Sequence, residues 1–167
     1  TLNEECIPQL NNLTGSPEWG KVADFPWTTG QLVPYGTESK VYAKQIAELY
    51  PDGAKVALFY VNSEFGQVYA DAFKELAAEY GLEIVDEQTL EATDTAPPTS
   101  QITSIADKAP DVIMAVPLGI GCVTFLGALA DDGRRLAADF AGRRLALAEL
   151  AGVGDGRRRR RNGFGRA

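Results

Sequence analysis

Apolar positions fall into two patterns along this chain, unbroken runs of strand length and stripes at helical spacing, and their order predicts the elements. Lys55–Val61 (KVALFYV) is a continuous apolar run. Apolarity without alternation suits a strand covered on both faces, as in a parallel sheet. Ahead of it, Thr37 is placed to cap a helix reaching about Tyr50, with Val41, Ala43, Ile46, Ala47 and Leu49 as its apolar stripe. Pro51-Asp52-Gly53 then ends the helix as a turn. After Asn62-Ser63-Glu64 the spacing predicts a helix from about Phe65 to Tyr80, with Val68, Ala72, Leu76 and Tyr80 inward and Gly81 as its stop. Leu82–Val85 starts a second strand, and Thr93–Thr99 is a loop rich in Pro and Thr. Ser100–Lys108 reads as a helix with Ile102 and Ile105 inward, and Asp111–Val116 as a third strand. Gly119-Ile120-Gly121 turns the chain into a further helix, from about Val123 to Ala130.

Residues 1–36 differ. Pro8, Gly15, Pro17, Gly20, Pro26, Gly30, Pro34 and Gly36 punctuate them, which predicts an extended, loop-rich lead-in. Within it Phe25–Gly30 can form a short strand, restricted by Pro26 to an edge or a strand start. Helix and strand alternating from residue 37 onward predict an α/β fold, a three-layer sandwich with a mainly parallel, doubly wound sheet. Such sheets bind ligands just beyond the carboxyl ends of their strands, so loops 62–66 and 117–122 become the candidate site.

Length and composition narrow the functional classes. The 167 residues suit one domain, and 45% hydrophobic with 23% charged residues is ordinary for a globular protein. No run of eighteen apolar residues occurs to span a bilayer. The first residues, Thr1-Leu2-Asn3, carry no basic and apolar leader pattern, so any targeting segment is taken as absent or already removed. Charge is divided sharply. Residues 1–130 hold 6 Lys, no Arg and 18 acidic residues, net −12, whereas 131–167 hold 10 Arg, no Lys and 5 acidic residues, net +5.

Histidine is absent, which removes Ser-His-Asp and Cys-His nucleophile systems and histidine metal sites. Cys6 and Cys122 are too few for a zinc ribbon or a disulfide framework, and whether they pair is open. No Walker A motif is present, and Gly119-Ile120-Gly121 lacks the third glycine of a dinucleotide fingerprint. Gly152–Gly156 follows no predicted strand and reads as a linker. Neither a cofactor nor a metal is expected. Ser63 follows a strand as a hydrolase nucleophile would, but it lacks a usual base, and Glu64 beside it reads as a solvated carboxylate. No enzymatic activity is expected. Phe65 has two readings, a core residue at a helix start or an aromatic wall of a ligand cleft. Cys122 reads as a small buried hydrophobe, and Asn12-Leu13-Thr14 matches a glycosylation sequon, a weak motif. Arg157–Arg161 has no interleaved aromatic residue and the rest of the chain is acidic, so it reads as a solvated tail and no nucleic-acid partner is expected.

An ordered set of segments carries a family resemblance. Lys55–Val61 with Ser63-Glu64-Phe65-Gly66-Gln67 resembles the strand and aromatic-Gly turn of type I periplasmic binding proteins, the branched-chain amino-acid receptors of ABC importers. Trp27-Thr28-Thr29-Gly30 is similar to the segment entering their second lobe. Thr99-Ser100-Gln101-Ile102 and Pro110-Asp111-Val112-Ile113 resemble that lobe's next helix and strand, and Leu118-Gly119-Ile120-Gly121-Cys122 with Phe125-Leu126 its following loop and helix. The resemblance covers roughly residues 1–130. It implies two α/β lobes, joined by crossover strands, that close around a small solute. Phe65, Ser63 and the loop Pro117, Leu118 and Gly119 then line the cleft from the second lobe. This chain has Phe65 where many relatives have Tyr, one hydroxyl fewer. The family's Ser/Thr recognition loop lies in the first lobe, outside this sequence.

On that resemblance residues 1–36 are the inter-lobe crossover, 37–130 the ligand-binding lobe and 131–167 an atypical tail. The implied function is capture of a small amino acid or related organic solute, outside the cytoplasm, for delivery to a membrane permease. The competing class is a flavodoxin-like α/β enzyme or a regulatory ligand-sensing domain. A sheet left short of a strand after Ala130 is expected to expose an edge and favour self-association. The change to arginine after residue 130 suggests a shifted reading frame for the tail, partly helical through Leu136, Phe140, Leu147 and Leu150 and then disordered.

Overall fold

The computed structural model describes residues 2–139, side chains included as far as Ala130. The expectations placed on residues 140–167, the glycine-rich linker and the arginine run among them, lie outside the described residues. In chain order the elements are β1 (Gln9–Asn12), a 3-10 turn (Pro17–Gly20), β2 (Thr28–Gly30), α1 (Tyr35–Leu49), β3 (Ala54–Val61), α2 (Glu64–Ala77), β4 (Leu82–Leu90), α3 (Thr99–Asp107), β5 (Val112–Val116) and α4 (Ile120–Asp139). Among the described residues β4, β3 and β5 form one parallel sheet in that order, and β1 and β2 a separate parallel ribbon.

The apolar run that forms β3 is buried on both faces because each face meets its own pair of helices. Val56, Leu58 and Tyr60 pack with Val112 and Met114 of β5 against Ile46 of α1 and Tyr69, Phe73 and Ala77 of α2. Ala57 and Phe59 alternate to the other side, with Ile113 and Ala115, against Ile102 and Ile105 of α3 and Phe125, Ala128 and Leu129 of α4. Helices over both faces of a parallel sheet make the three-layer α/β sandwich expected from the sequence.

Several boundaries and faces differ from the expectation. The lead-in is not only loop: β1 pairs with β2, joined by backbone bonds that no side-chain pattern announces. β2 itself is three residues, starting at Thr28 rather than Phe25. α1 begins at Tyr35 after Pro34, so Thr37 lies inside its first turn and caps nothing; its buried positions are Ser39, Ala43 and Ile46, with Val41 and Leu49 exposed. In α2 the buried stripe is Gly66, Tyr69, Ala70, Phe73 and Ala77 with Ala72, so the inward face is centred about one residue away from Val68, Leu76 and Tyr80. The last helix starts at Ile120 and its backbone runs through 131–139 without a break at the change in composition.

β4 continues five residues past Val85. Its register against β3 slips there, with Ile84 opposite Val56 and Asp86 opposite Ala57. The extra residue turns the rest of the strand over. Asp86 therefore faces α3, accepting from Ser104 Oγ (3.0 Å), and Glu87 faces α2. Partial burial opposes the charged form of Glu87, but hydrogen bonds from Tyr60 Oη (2.5 Å) and Lys74 Nζ (3.0 Å) outweigh it and hold the carboxyl below its ordinary value. Carboxylates and a bulge blunt this edge of the sheet. On the opposite side no strand pairs with β5 among the described residues, yet every β5 residue is at most 6% accessible. β5 is thus the edge strand of the described sheet, with its residues covered by the helices on either face.

Candidate functional site

The three sheet strands end level with one another. Val61 of β3 lies opposite Leu90 of β4, and Tyr60 opposite Val116 of β5. The turn after β3 and the turn after β5 consequently leave neighbouring strands at the same rim. All five candidate residues, Ser63, Phe65, Pro117, Leu118 and Gly119, stand on this rim. Backbone and side chains tie it together: Asn62 N donates to Leu90 O (2.8 Å), and Asn62 Nδ2 to a Glu91 carboxylate oxygen (2.7 Å).

Phe65 takes neither of its two expected roles in pure form. It is half-buried, with Tyr35 of α1 edge-on at 4.9 Å and 90° and Tyr69 of α2 at 5.2 Å and 66°. Tyr35 and Tyr69 are themselves 5.2 Å apart. Such edge-to-face contacts set the positive ring edge against the negative face and fix the ring's orientation. Burial, then a hydrogen bond to Glu38 (2.6 Å), raises the Tyr69 hydroxyl far above its ordinary value, so Tyr69 keeps its proton. Tyr42 Oη donates a hydrogen bond to the same Glu38 carboxylate. Leu118, 52% accessible, and Ile120, 49%, add open apolar surface on the neighbouring turn, and Gly119 has φ +57. Pro117 is half-buried and accepts a bond from Cys122 Sγ (3.5 Å). Cys122 and the exposed Cys6 are both free thiols.

Ser63 precedes the first residue of α2 in an extended conformation but makes no capping bond, and its Oγ is buried with no hydrogen-bond partner among the described residues. A capping serine costs about 0.5–2 kcal/mol when replaced by alanine. Here the sign reverses, because the substitution removes an unmet buried hydroxyl. Ser63→Ala is expected to leave stability unchanged or raise it by up to about 1 kcal/mol in urea unfolding; a loss of that size would show that Oγ does cap the helix in solution. Glu64 is exposed and accepts from Ser16 Oγ (3.2 Å), in keeping with a solvated carboxylate.

The linear pattern does not single out Tyr35, Tyr69 or Ser16, and marks Thr14 only as part of a sequon. Tyr35 stands thirty positions before Phe65, too far for any periodicity to link them. Tyr69, four residues after Phe65 on one helix, was legible by spacing, but the stripe was set one residue away. No group of three or more Cys, Asp or Glu among the described residues is placed to hold a metal ion, and no helix there is long and apolar enough to cross a membrane.

Comparison with known proteins was made on sequence and on fold. Residues 2–155 match the family model described as periplasmic binding protein. No curated protein sequence matches the chain. Among solved structures the chain is similar to a solute-binding protein of an ABC transporter from R. palustris in complex with benzoate, at 18% identity and TM-score 0.69, covering 87% of this chain and 38% of that one. A solute-binding protein from Rhodopseudomonas palustris HaA2 in complex with p-hydroxybenzoic acid matches at 21% identity and TM-score 0.68, with 87% and 38% covered. An amino acid ABC transporter substrate-binding protein from Pseudomonas fluorescens Pf-5 matches at 15% identity and TM-score 0.72, with 87% and 37% covered. The chain thus spans less than two-fifths of the length of each, and at these identities what it shares with them is the fold.

Proposed function

The chain belongs to the periplasmic binding protein family, and from that premise we propose that it forms one wall of a solute site in a receptor serving an ABC importer, capturing a small amino acid or related organic acid without chemical conversion. The observation that carries this is the shared rim, where Phe65 and the Pro117–Gly119 turn leave adjacent parallel strands at the end where ligands of such sheets bind. Its apolar members, Phe65, Leu118 and Ile120, suit the hydrocarbon body of a branched or aromatic solute. Phe65 itself offers no phenolic hydroxyl, and those of Tyr35 and Tyr69 are engaged by Thr14 and Glu38, so the charged groups of the solute are recognised from the facing lobe. The receptor works outside the cytoplasm beside a membrane permease, and β1 and β2 belong to the crossover between lobes.

One wall leaves a ligand half hydrated, so this chain alone is expected to bind no tighter than about millimolar. Titration calorimetry and NMR with leucine, valine, benzoate and 4-hydroxybenzoate test this. Weak, saturable perturbation of Phe65 by one of them supports the reading. Submicromolar binding to a monomer would show the site to be complete within this chain, and silence of Phe65 toward all four at saturating concentration would remove it from the site.

A further inference from the structure

The aromatic wall is held from outside its own helix. Thr14 Oγ1 and Tyr35 Oη are 3.0 Å apart, Tyr35 N donates to Gly15 O (2.9 Å), and Ser16 Oγ donates to Glu64 Oε1 (3.2 Å). Three consecutive residues, arriving from β1, therefore grip the first residue of α1 on one side and the first residue of α2 on the other. The grip is close. A Cβ on Gly15 would stand 2.3 Å from Val33 O and 2.7 Å from Tyr35 Cδ1. At the end of the ribbon, Asn12 O accepts both from Gln31 N (2.9 Å), just after β2, and from Thr14 N (2.8 Å), which joins the stretch to β1 and β2.

From this chain of contacts we infer that Tyr35 is a positioning residue for Phe65, and that the Thr14–Ser16 strap couples the β1–β2 ribbon to the aromatic wall. The inference rests on Phe65 lining the solute site, as proposed above. Its physical content is a relay of two contacts. The Thr14 hydroxyl fixes the Tyr35 phenol, and the Tyr35 ring, edge-on to Phe65, limits the angles Phe65 can take. Thr14 also accepts from Ser16 N (3.2 Å), and Ser16 in turn holds Glu64 beside Phe65, so Tyr35→Phe, which leaves that second route intact, isolates the relay through the ring. Under this arrangement a displacement of the ribbon re-aims Phe65, and a solute that fixes Phe65 resists that displacement.

Aromatic-carbon NMR of the full chain tests the relay without requiring tight binding. Thr14→Val and Tyr35→Phe are each expected to shift the Phe65 ring resonances and leave those of Phe59 and Phe125, the stacked pair on the far side of the sheet, in place. Thr14→Ser, which restores the hydroxyl, is expected to return Phe65 to its wild-type position, a rescue that mere packing at Thr14 would not give. Phe65 resonances unmoved in both variants, or Phe59 and Phe125 moving equally, would overturn the inference. Adding benzoate or leucine to the wild type separates it from the reading it rests on. A relay that operates while neither solute perturbs Phe65 defeats the site assignment, whereas solute response without a relay defeats the positioning role.

Discussion

Gly66→Ala is expected to cost about 3 kcal/mol of folding stability, lowering the melting temperature by roughly 10 °C. A Cβ at this position would lie 2.1 Å from Val61 O, 2.9 Å from Tyr60 Cδ2 and 3.1 Å from Val61 C. Two of those three atoms are backbone of the sheet's central strand, so no rotamer change relieves the clash. Either the first turn of α2 lifts away from β3 or β3 loses its register with both neighbours. Lifting α2 also carries Phe65 off the rim, so solute response should fall together with stability. Gly127 is the matched control, because nothing stands within 4 Å of its would-be Cβ and it lies inside α4. Gly127→Ala should be neutral or stabilising by up to about 1 kcal/mol. Differential scanning calorimetry of the pair decides the matter, and equal melting temperatures would mean that α2 does not approach β3 this closely.

Phe59→Ala is the larger of the two perturbations, expected to cost about 3–5 kcal/mol, enough to unfold a domain of ordinary stability. Phe59 is fully buried and stacks on Phe125 at 4.4 Å and 18°, and the contact joins the middle strand to α4. Removing the ring leaves a cavity beside Phe125 in the core cluster that holds Ile102, Ile105 and Ile113, and the paired strands on either side oppose its collapse. Phe59→Leu keeps most of the volume and should retain the fold at a smaller loss. Urea unfolding followed by far-UV circular dichroism reads both variants. A cost under about 1 kcal/mol for Phe59→Ala would mean that the core beneath α3 and α4 closes over the gap.

Legibility in the sequence tracked how completely an element is buried. The run 55–61 and Ile102 with Ile105 were readable because burial on both faces, or on one clean stripe, leaves an unambiguous apolar pattern. β4 was read only to Val85, since beyond its bulge an edge strand turns Asp86, Glu87 and Gln88 toward polar partners and resembles a loop. β1 was missed because QLNN pairs through its backbone and carries no periodic apolar signal. For the candidate site, the position of the turns after β3 and β5 at one rim was readable from the sheet's direction alone. Tyr35 did not, because nothing in a linear pattern reports that the residue opening one helix will meet the residue opening another thirty positions later.

The strand order β4-β3-β5 places the earliest-made strand of that sheet at its centre. β3 leaves the ribosome before either neighbour exists, carrying Ala-Lys-Val-Ala-Leu-Phe-Tyr-Val with a single charge. Its backbone on one side waits for β4, and on the other for β5 and the helix between them. A parallel sheet closes only through such long crossovers, so this apolar segment lacks β5 until residue 116 emerges and Phe59 lacks its partner Phe125 for longer still. For the described sheet, strand order makes β3 the strand that waits longest for its neighbours during synthesis.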